Sequence, residues 1–281
     1  MRRLAFSVSL AFVALLACAE KVDWNKAKEI SPGVRYREFA VETPRMMKCY
    51  MARVDLTQND LVSSEKGMKR ERTLEFAKRL RGGGTNVVVA VNMCPWGGGC
   101  GDSPESIANY RLDGLNVQNG EISSDKAVKG WFDGFFGVRK DGTPEVLDVP
   151  PETTLGEYRI LLNGYARVLK DGVPFNRRKE KSLHPRTAVG VSKDRRYVYL
   201  LAVDGRQKGW SLGADYEDEA KFMLEAGAWD AVNMDGGGST TIVCRDAKAK
   251  RLRMMNRHDA MGAYTRAVAI SLAVVPKKRG K

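Results

Sequence analysis

The stretch 230–243, Asp230-Ala231-Val232-Asn233-Met234-Asp235-Gly236-Gly237-Gly238-Ser239-Thr240-Thr241-Ile242-Val243, constrains the fold of this chain more than any other. An apolar run delivers Asn233 and Asp235 into three glycines and then three hydroxyls. The pattern predicts a strand, a tight turn and a second strand, because glycine takes backbone angles closed to other residues. Successive N–H groups at such a turn can form a concave nest for an anion, so that carboxylate, amide, hydroxyls and a phosphate cradle share one place. Taken alone, the triplet fits a hairpin whose glycines only satisfy turn geometry equally well.

Companion segments turn this local oddity into a family resemblance. His184-Pro185-Arg186-Thr187-Ala188-Val189-Gly190-Val191 leads through a turn at Lys193-Asp194-Arg195 to an apolar strand ending Val203-Asp204-Gly205-Arg206. The order P-R-T-A-x-G, then V-D-G-R, then a helix, then N-x-D-G-G-G-S-T-T resembles the phosphodiester glycosidase domain family. Weaker echoes are Val89-Ala90-Val91-Asn92, Gly114-Leu115-Asn116-Val117, Asn163-Gly164, and Asn256-Arg257 followed by Arg266-Ala267-Val268. The resemblance spans roughly residues 85–275. After Asn92 the family continues with glycines and an aromatic, whereas here Met93-Cys94-Pro95-Trp96 precede Gly97-Gly98-Gly99.

At the N-terminus Arg2 and Arg3 precede an apolar run over 4–17, too short to span a bilayer and followed by charged sequence. Residues 1–19 therefore read as a signal peptide, and the protein is expected to be exported to the periplasm or cell surface. Two processing routes overlap at Leu15-Leu16-Ala17-Cys18-Ala19: cleavage after Ala19, or cleavage before Cys18 with lipidation of that cysteine, which would tether the chain to a membrane.

The remaining length suits one compact domain. Residues 20–84 read as an N-terminal extension packed on a main domain at 85–276, since Arg81-Gly82-Gly83-Gly84 is too short to link independent bodies. Short strands with turn signals dominate, at 87–92, 135–138, 159–162, 188–191, 197–203, 231–234, 240–244 and 267–275. Helices are expected at 72–80 and 215–226, the second with Ala220, Met223 and Leu224 facing the core and Gly227 ending it. The expected class is α+β, with mixed, mostly antiparallel sheets and a few flanking helices.

A formal net charge of +13 is spread over clusters such as Arg177-Arg178-Lys179 and Lys277-Lys278-Arg279. Such clusters read as solvated faces, and for an exported chain an anionic glycan or membrane surface is a more reasonable partner than nucleic acid. No aromatic residues interleave with the basic runs to stack bases. Cys49, Cys94, Cys100 and Cys244 allow three pairings in an oxidising compartment, with Cys94–Cys100 the natural local bridge. His184 and His258 are the only histidines and the cysteines lack C-x-x-C spacing, so zinc and a histidine-centred triad are poorly supported. No metal or cofactor is expected.

Carboxylates, arginines, amides and hydroxyls remain, and they suit the reaction that the resemblance implies: hydrolysis of a sugar 1-phosphodiester, of the N-acetylglucosamine 1-phosphodiester kind, at the anomeric C–O bond. The phosphomonoester released there is a good leaving group, so charge neutralisation matters more than proton donation. Arg186 and Arg206 can present planar forks to phosphate oxygens, and Gly236, Gly237 and Gly238 can add N–H donors. A carboxylate must then stabilise the oxocarbenium-like sugar, attack it or activate water. Asp235 is the first candidate and Asp204 the second, each ending an apolar strand at a glycine turn. Asn92 and Asn233 are candidates for sugar hydroxyls or for orienting a carboxylate, and Ser239, Thr240 and Thr241 are expected to alternate along the following strand. The alternatives are a phosphodiesterase cutting P–O and a non-catalytic surface protein that binds anionic glycans.

Overall fold

The computed structural model describes residues 22–99, 101–128, 130–246, 250–258 and 265–278. Three sheets share one core, and all their strand pairings among the described residues are antiparallel. The largest sheet has eight strands, in the order Lys28–Ser31, Val34–Val41, Met47–Asp55, Tyr197–Val203, Arg186–Val191, Asp230–Asn233, Ala166–Lys170 and Val173–Pro174. A second sheet runs Leu252–Met254, Ile242–Arg245, Val89–Asn92, Ser271–Pro276 and Asn59–Ser63. The third runs Glu121–Lys126, Gly114–Gln118, Tyr158–Gly164, Gly134–Arg139 and Pro144–Leu147.

Alternation along the central strand shows how the layers are specified. Val198, Leu200 and Ala202 enter the core shared by the three sheets, beside Val89, Ile242, Phe136 and Leu162. Tyr199, Leu201 and Val203 face the other way, onto Phe222 and Met223 of the helix Tyr216–Ala226. A period of two thus divides one apolar run between two cores, which is why the strand reads as continuously hydrophobic. The helix Thr73–Gly82 covers the second sheet through Phe76 and Ala77, against Ala90, Val243 and Ala273.

The N-terminal segment extends the sheets of the main domain. Met47–Asp55 pairs along its length with Tyr197–Val203, and Asn59–Ser63 pairs with Ser271–Pro276. Two strand starts differ from expectation. The strand after the glycines begins at Ile242, because Gly237–Ser239 forms a 3-10 turn. The last begins at Ser271, because Val268 is bridged to Glu71 before the chain enters the sheet.

Among the described residues, Cys49, Cys94 and Cys244 are buried free thiols. The Cys94 thiol donates to Asn116 Oδ1 at 3.2 Å. Cys100, the other half of the expected local bridge, lies outside the described residues, as do Cys18 and the expected leader.

The helix Tyr216–Ala226 starts where Asp215 accepts from the Glu217 and Asp218 amides, and it ends at Gly227 with φ 102°. A Cβ at Gly227 would stand 2.9 Å from the Tyr199 hydroxyl as well as in the left-handed region. Gly227→Ala is expected to destabilise the protein by about 1–2 kcal/mol. Gly82→Ala, whose Cβ meets nothing within 4 Å, should leave stability unchanged or raise it by a few tenths of a kcal/mol. Urea unfolding midpoints of the two variants check this.

Candidate active site

Two antiparallel neighbours in the large sheet, Arg186–Val191 and Asp230–Asn233, bring the 184–186 and 235–238 segments to one sheet end. Met234 N donates to Thr187 O at 2.8 Å, and Gly237 N donates to Pro185 O at 2.8 Å. Between these segments opens a cavity of about 230 Å³ lined by Tyr165, His184, Arg186, Arg206, Asp235, Gly236, Gly237, Gly238 and Arg266. A larger groove of about 680 Å³ lies elsewhere, beside Lys78, Arg81, Arg251 and Arg253; no carboxylate lines it, so it lacks the groups for acid, base or nucleophile chemistry.

Asp235 is half-buried, and its Oδ2 is buried with no hydrogen-bond partner. Burial pushes its pKa up to about 7, opposed by the adjacent Ser239 hydroxyl, the Arg266 charge and the Gly236 amide. The backbone here is pinned from both sides: Asp235 N donates to Met93 O at 2.8 Å, and Asp235 O accepts from Asn92 Nδ2 at 2.6 Å. A carboxylate fixed by its main chain, with one oxygen uncommitted, is arranged to meet something that enters the cavity.

The glycines matter chiefly for what they let approach. A Cβ on Gly236 would lie 2.6 Å from Pro185 O, one on Gly237 would lie 3.2 Å from Arg206 Nη1, and one on Gly238 would lie 2.8 Å from Arg266 Nη2. Gly237 also has φ 60°. Bare backbone is thus required for two guanidinium groups to close on the loop. The expected anion nest is only partly available, since the Gly237, Ser239 and Thr240 amides already donate to Pro185 O, Gly236 O and Gly237 O.

Arg186 is 6% exposed; its Nε donates to Ala214 O at 3.0 Å, its Nη2 to Ser182 O at 2.9 Å, and its face lies 4.6 Å from the Tyr216 ring centroid. Arg206 sits at φ 58° and places Nη2 3.0 Å from His184 Nδ1. Arginine only donates, so Nδ1 accepts and the proton of His184 is on Nε2. Burial, with the charges of Arg186 and Arg206, lowers the His184 pKa and keeps the ring neutral at pH 7. His258 Nε2 donates to Gly238 O at 2.8 Å.

The other sequence candidates hold the site rather than line it. Asp204 is fully buried and receives Tyr50 Oη at 2.9 Å, Trp210 Nε1 at 2.8 Å, Arg257 N at 3.0 Å and Asn256 Nδ2 at 3.4 Å. Burial raises its pKa even against those donors. With both oxygens engaged and none reaching the cavity, it is placed to tie the 256–257 segment to the large sheet. Asn92 Oδ1 accepts from Thr187 Oγ1 at 2.8 Å and Thr241 N at 2.9 Å. Asn233 is fully buried, its Nδ2 donating to Met234 O at 2.9 Å. Ser239 Oγ and Thr240 Oγ1 are buried without partners beside the glycine turn, while Thr241 Oγ1 donates to Ser239 O at 3.1 Å.

Arg266, Tyr165, His184 and His258 were not legible as site residues. Their signals were positional: His184 stands two residues before Arg186, His258 follows Asn256-Arg257, Tyr165 follows Asn163-Gly164, and Arg266 opens the Arg266-Ala267-Val268 segment. Among the described residues, no cluster of three or more His, Cys, Asp or Glu side chains could hold a metal ion.

Residues 85–275 match the family model described as phosphodiester glycosidase, and the chain belongs to that family. A curated relative, the N-acetylglucosamine-1-phosphodiester alpha-N-acetylglucosaminidase of Bos taurus, is 29% identical over 133 residues, 38% of this chain and 24% of that protein. The match therefore spans about a quarter of the relative's length. Among solved structures, the zebrafish enzyme's catalytic domain, auto-inhibited by its pro-peptide, superposes with TM-score 0.64 at 20% identity, over 89% of this chain and 85% of that one. A hypothetical protein from Synechocystis gives 0.57 at 11% identity, over 88% and 63%. A putative exported protein from Burkholderia pseudomallei gives 0.57 at 15%, over 82% and 74%. These likenesses show a shared fold.

Two substitutions separate the acids. Asp204→Asn turns an acceptor into a donor facing Trp210, Tyr50 and the Arg257 amide, and is expected to cost about 2–4 kcal/mol. Asp235→Asn should act the other way. An acid whose folded pKa lies above its unfolded one costs stability as pH rises from about 4 to about 7. Removing that acid should raise stability at pH 8 by roughly 1–3 kcal/mol. Denaturation of both variants at pH 5 and pH 8 tests this: an Asp204→Asn protein as stable as the parent would overturn the tying role of Asp204.

Proposed function

We propose that this chain hydrolyses a sugar 1-phosphodiester at the anomeric C–O bond, releasing the sugar and a phosphomonoester. The observation that carries the reading is the junction of Asp235, with its uncommitted Oδ2, and three arginines in one cavity. Family membership supports the same chemistry. The name of the bovine relative supports N-acetylglucosamine as the first sugar to try.

In this reading Arg206 and Arg266, close against the glycine turn, and the cavity edge of Arg186 receive the phosphate oxygens and offset the charge that builds as the C–O bond breaks. Asp235 acts in its ionised form on the sugar carbon or on the attacking water, since the departing phosphomonoester needs little protonation. Asp204 and Asn92 position this machinery without touching the substrate. Tyr165 supplies an aromatic wall suited to a sugar face. We further propose that the chain works outside the cytoplasm, on the strength of its leader, with Cys18 available for lipid attachment.

Hydrolysis of an N-acetylglucosamine 1-phosphodiester in oxygen-18 water by residues 20–281 should place the label in the sugar. Label in the phosphate would mean P–O cleavage instead. Absence of turnover across a panel of glycosyl phosphodiesters would favour a binding protein. Asp235→Asn, folded and at least as stable as the parent at pH 8, should lose about 100-fold or more in kcat. Because burial holds Asp235 near pKa 7 and its ionised form is the active one, kcat/KM should climb about tenfold per pH unit below that value and level off above it. A rate that instead falls across pH 6–8 would assign Asp235 the acid's part.

A further inference from the structure

One buried acid is unused by that mechanism. Glu219, in the first turn of the helix Tyr216–Ala226, is 0% exposed, and both of its carboxyl oxygens are buried without a hydrogen-bond partner. Burial without a donor disfavours the carboxylate there, so the neutral acid is the form favoured at neutral pH. Burial pushes its pKa up to about 8, with the Arg186 charge opposing and Asp218 and Asp215 reinforcing.

Glu219 stands three residues along the helix from Tyr216, on the same face, and the Tyr216 ring lies 4.6 Å from the guanidinium of Arg186, which lines the cavity. Arg186 has two of its three nitrogens committed to the Ala214 and Ser182 carbonyls and its face on Tyr216, and it lines the cavity with Asp235. No hydrogen bond joins it to Glu219. Its charge is therefore available either to an anion in the cavity or to an anion behind it, within the helix layer. A single guanidinium cannot serve both fully.

We propose that Glu219 is a positioning residue for phosphate capture: neutral, it leaves the Arg186 charge to the cavity, and ionised it draws that charge toward the helix and weakens anion binding. The inference rests on the phosphate-binding reading of the arginine cluster. It sets an alkaline ceiling on substrate affinity that is separate from the titration of Asp235.

The other groups around Glu219 leave that range clear. On its own helix, Tyr216 is pushed up to about 12 by burial, and Asp218, raised by burial, is bonded to Arg45, which also lies 3.9 Å from Asp215. Glu217 is paired outside with Lys181 at 2.5 Å. From neighbouring elements, burial pushes the Cys49 thiol well up, His184 is lowered and already neutral, and Arg178 and Glu180 act only through space on Tyr216. With Asp235 replaced, the acid near Arg186 that titrates at mildly alkaline pH is Glu219, pushed up to about 8 by burial.

Dimethyl phosphate, a monoanion throughout this range, tests the proposal when titrated into the full chain carrying Asp235→Asn, with and without Glu219→Gln. With Glu219 present, its Kd should weaken about tenfold from about pH 7 to pH 9.5, as expected when an adjacent acid shifts by about one pKa unit on anion binding. In the protein that also carries Glu219→Gln it should change less than about twofold. Equal weakening in both proteins, or none in either, overturns the Glu219 proposal alone. No binding at pH 7 by either folded protein overturns the phosphate reading of the arginines as well. Calorimetry in two buffers of different ionisation enthalpy supplies a check that needs no Glu219 variant. At about pH 8 binding should take up a fraction of a proton, and zero uptake would sink the proposal.

Discussion

Everything at the site depends on the carboxamide of Asn92. It stands at the end of a strand in the second sheet, yet its Oδ1 accepts from Thr187 in the large sheet and from the Thr241 amide, while its Nδ2 donates to Asp235 O. Three buried groups that would each cost about 1–3 kcal/mol if left unpaired are satisfied by one side chain. The two sheets and the glycine turn are thereby locked in one relative position. Asp235 needs no side-chain support to be placed, because its backbone cannot move without breaking that junction, and its carboxylate oxygen is left for other work.

Close approach of backbone also explains how cations gather around the turn. Positive charges repel, and bringing guanidinium groups together requires backbone that can approach them closely and carbonyls that can receive their protons. Glycines at 236–238 remove the Cβ atoms that would collide with Arg206 and Arg266, and the carbonyls of Ala214 and Ser182 fix Arg186. The neutral His184 adds a lone pair to Arg206 rather than another charge. A cleft with this balance concentrates positive potential on a small anion while remaining compatible with folding.

What was legible in the sequence follows from how local each signal is. The helix at 215–226 was readable because a capping aspartate, an apolar face and a terminal glycine lie close together along the chain. The strand 197–203 was readable because its alternation serves two cores. Asp235 and Arg186 were readable because strand, turn and glycines announce a sheet end. The role of Asp204 was not: a carboxylate at a glycine turn looks the same whether it faces a cavity or four donors, and those donors arrive from residues 50, 210, 256 and 257. The Cys94 thiol likewise found Asn116, a partner that spacing to Cys100 could not reveal. Arg266 and both histidines were invisible for the same reason, being ordinary in their own neighbourhoods.

Asp204, Asp235 and Glu219 occupy three different environments at this sheet end, and the environment rather than the residue type divides the labour. Asp204 is surrounded by donors and becomes a structural tie. Asp235 has one oxygen bare and arginines across the cavity, so its ionised form gains its value from what enters there. Glu219 has no donor at all, and its charge is excluded by the same burial that packs the helix against Met51, Leu201 and Val203. Bonding Asp235 or Glu219 to an arginine would have neutralised part of the positive charge around the cavity. In the proposed reaction that charge, left on Arg186, Arg206 and Arg266, is what receives the phosphate. The destabilisation this entails is offset by the extensive apolar packing of the three sheets.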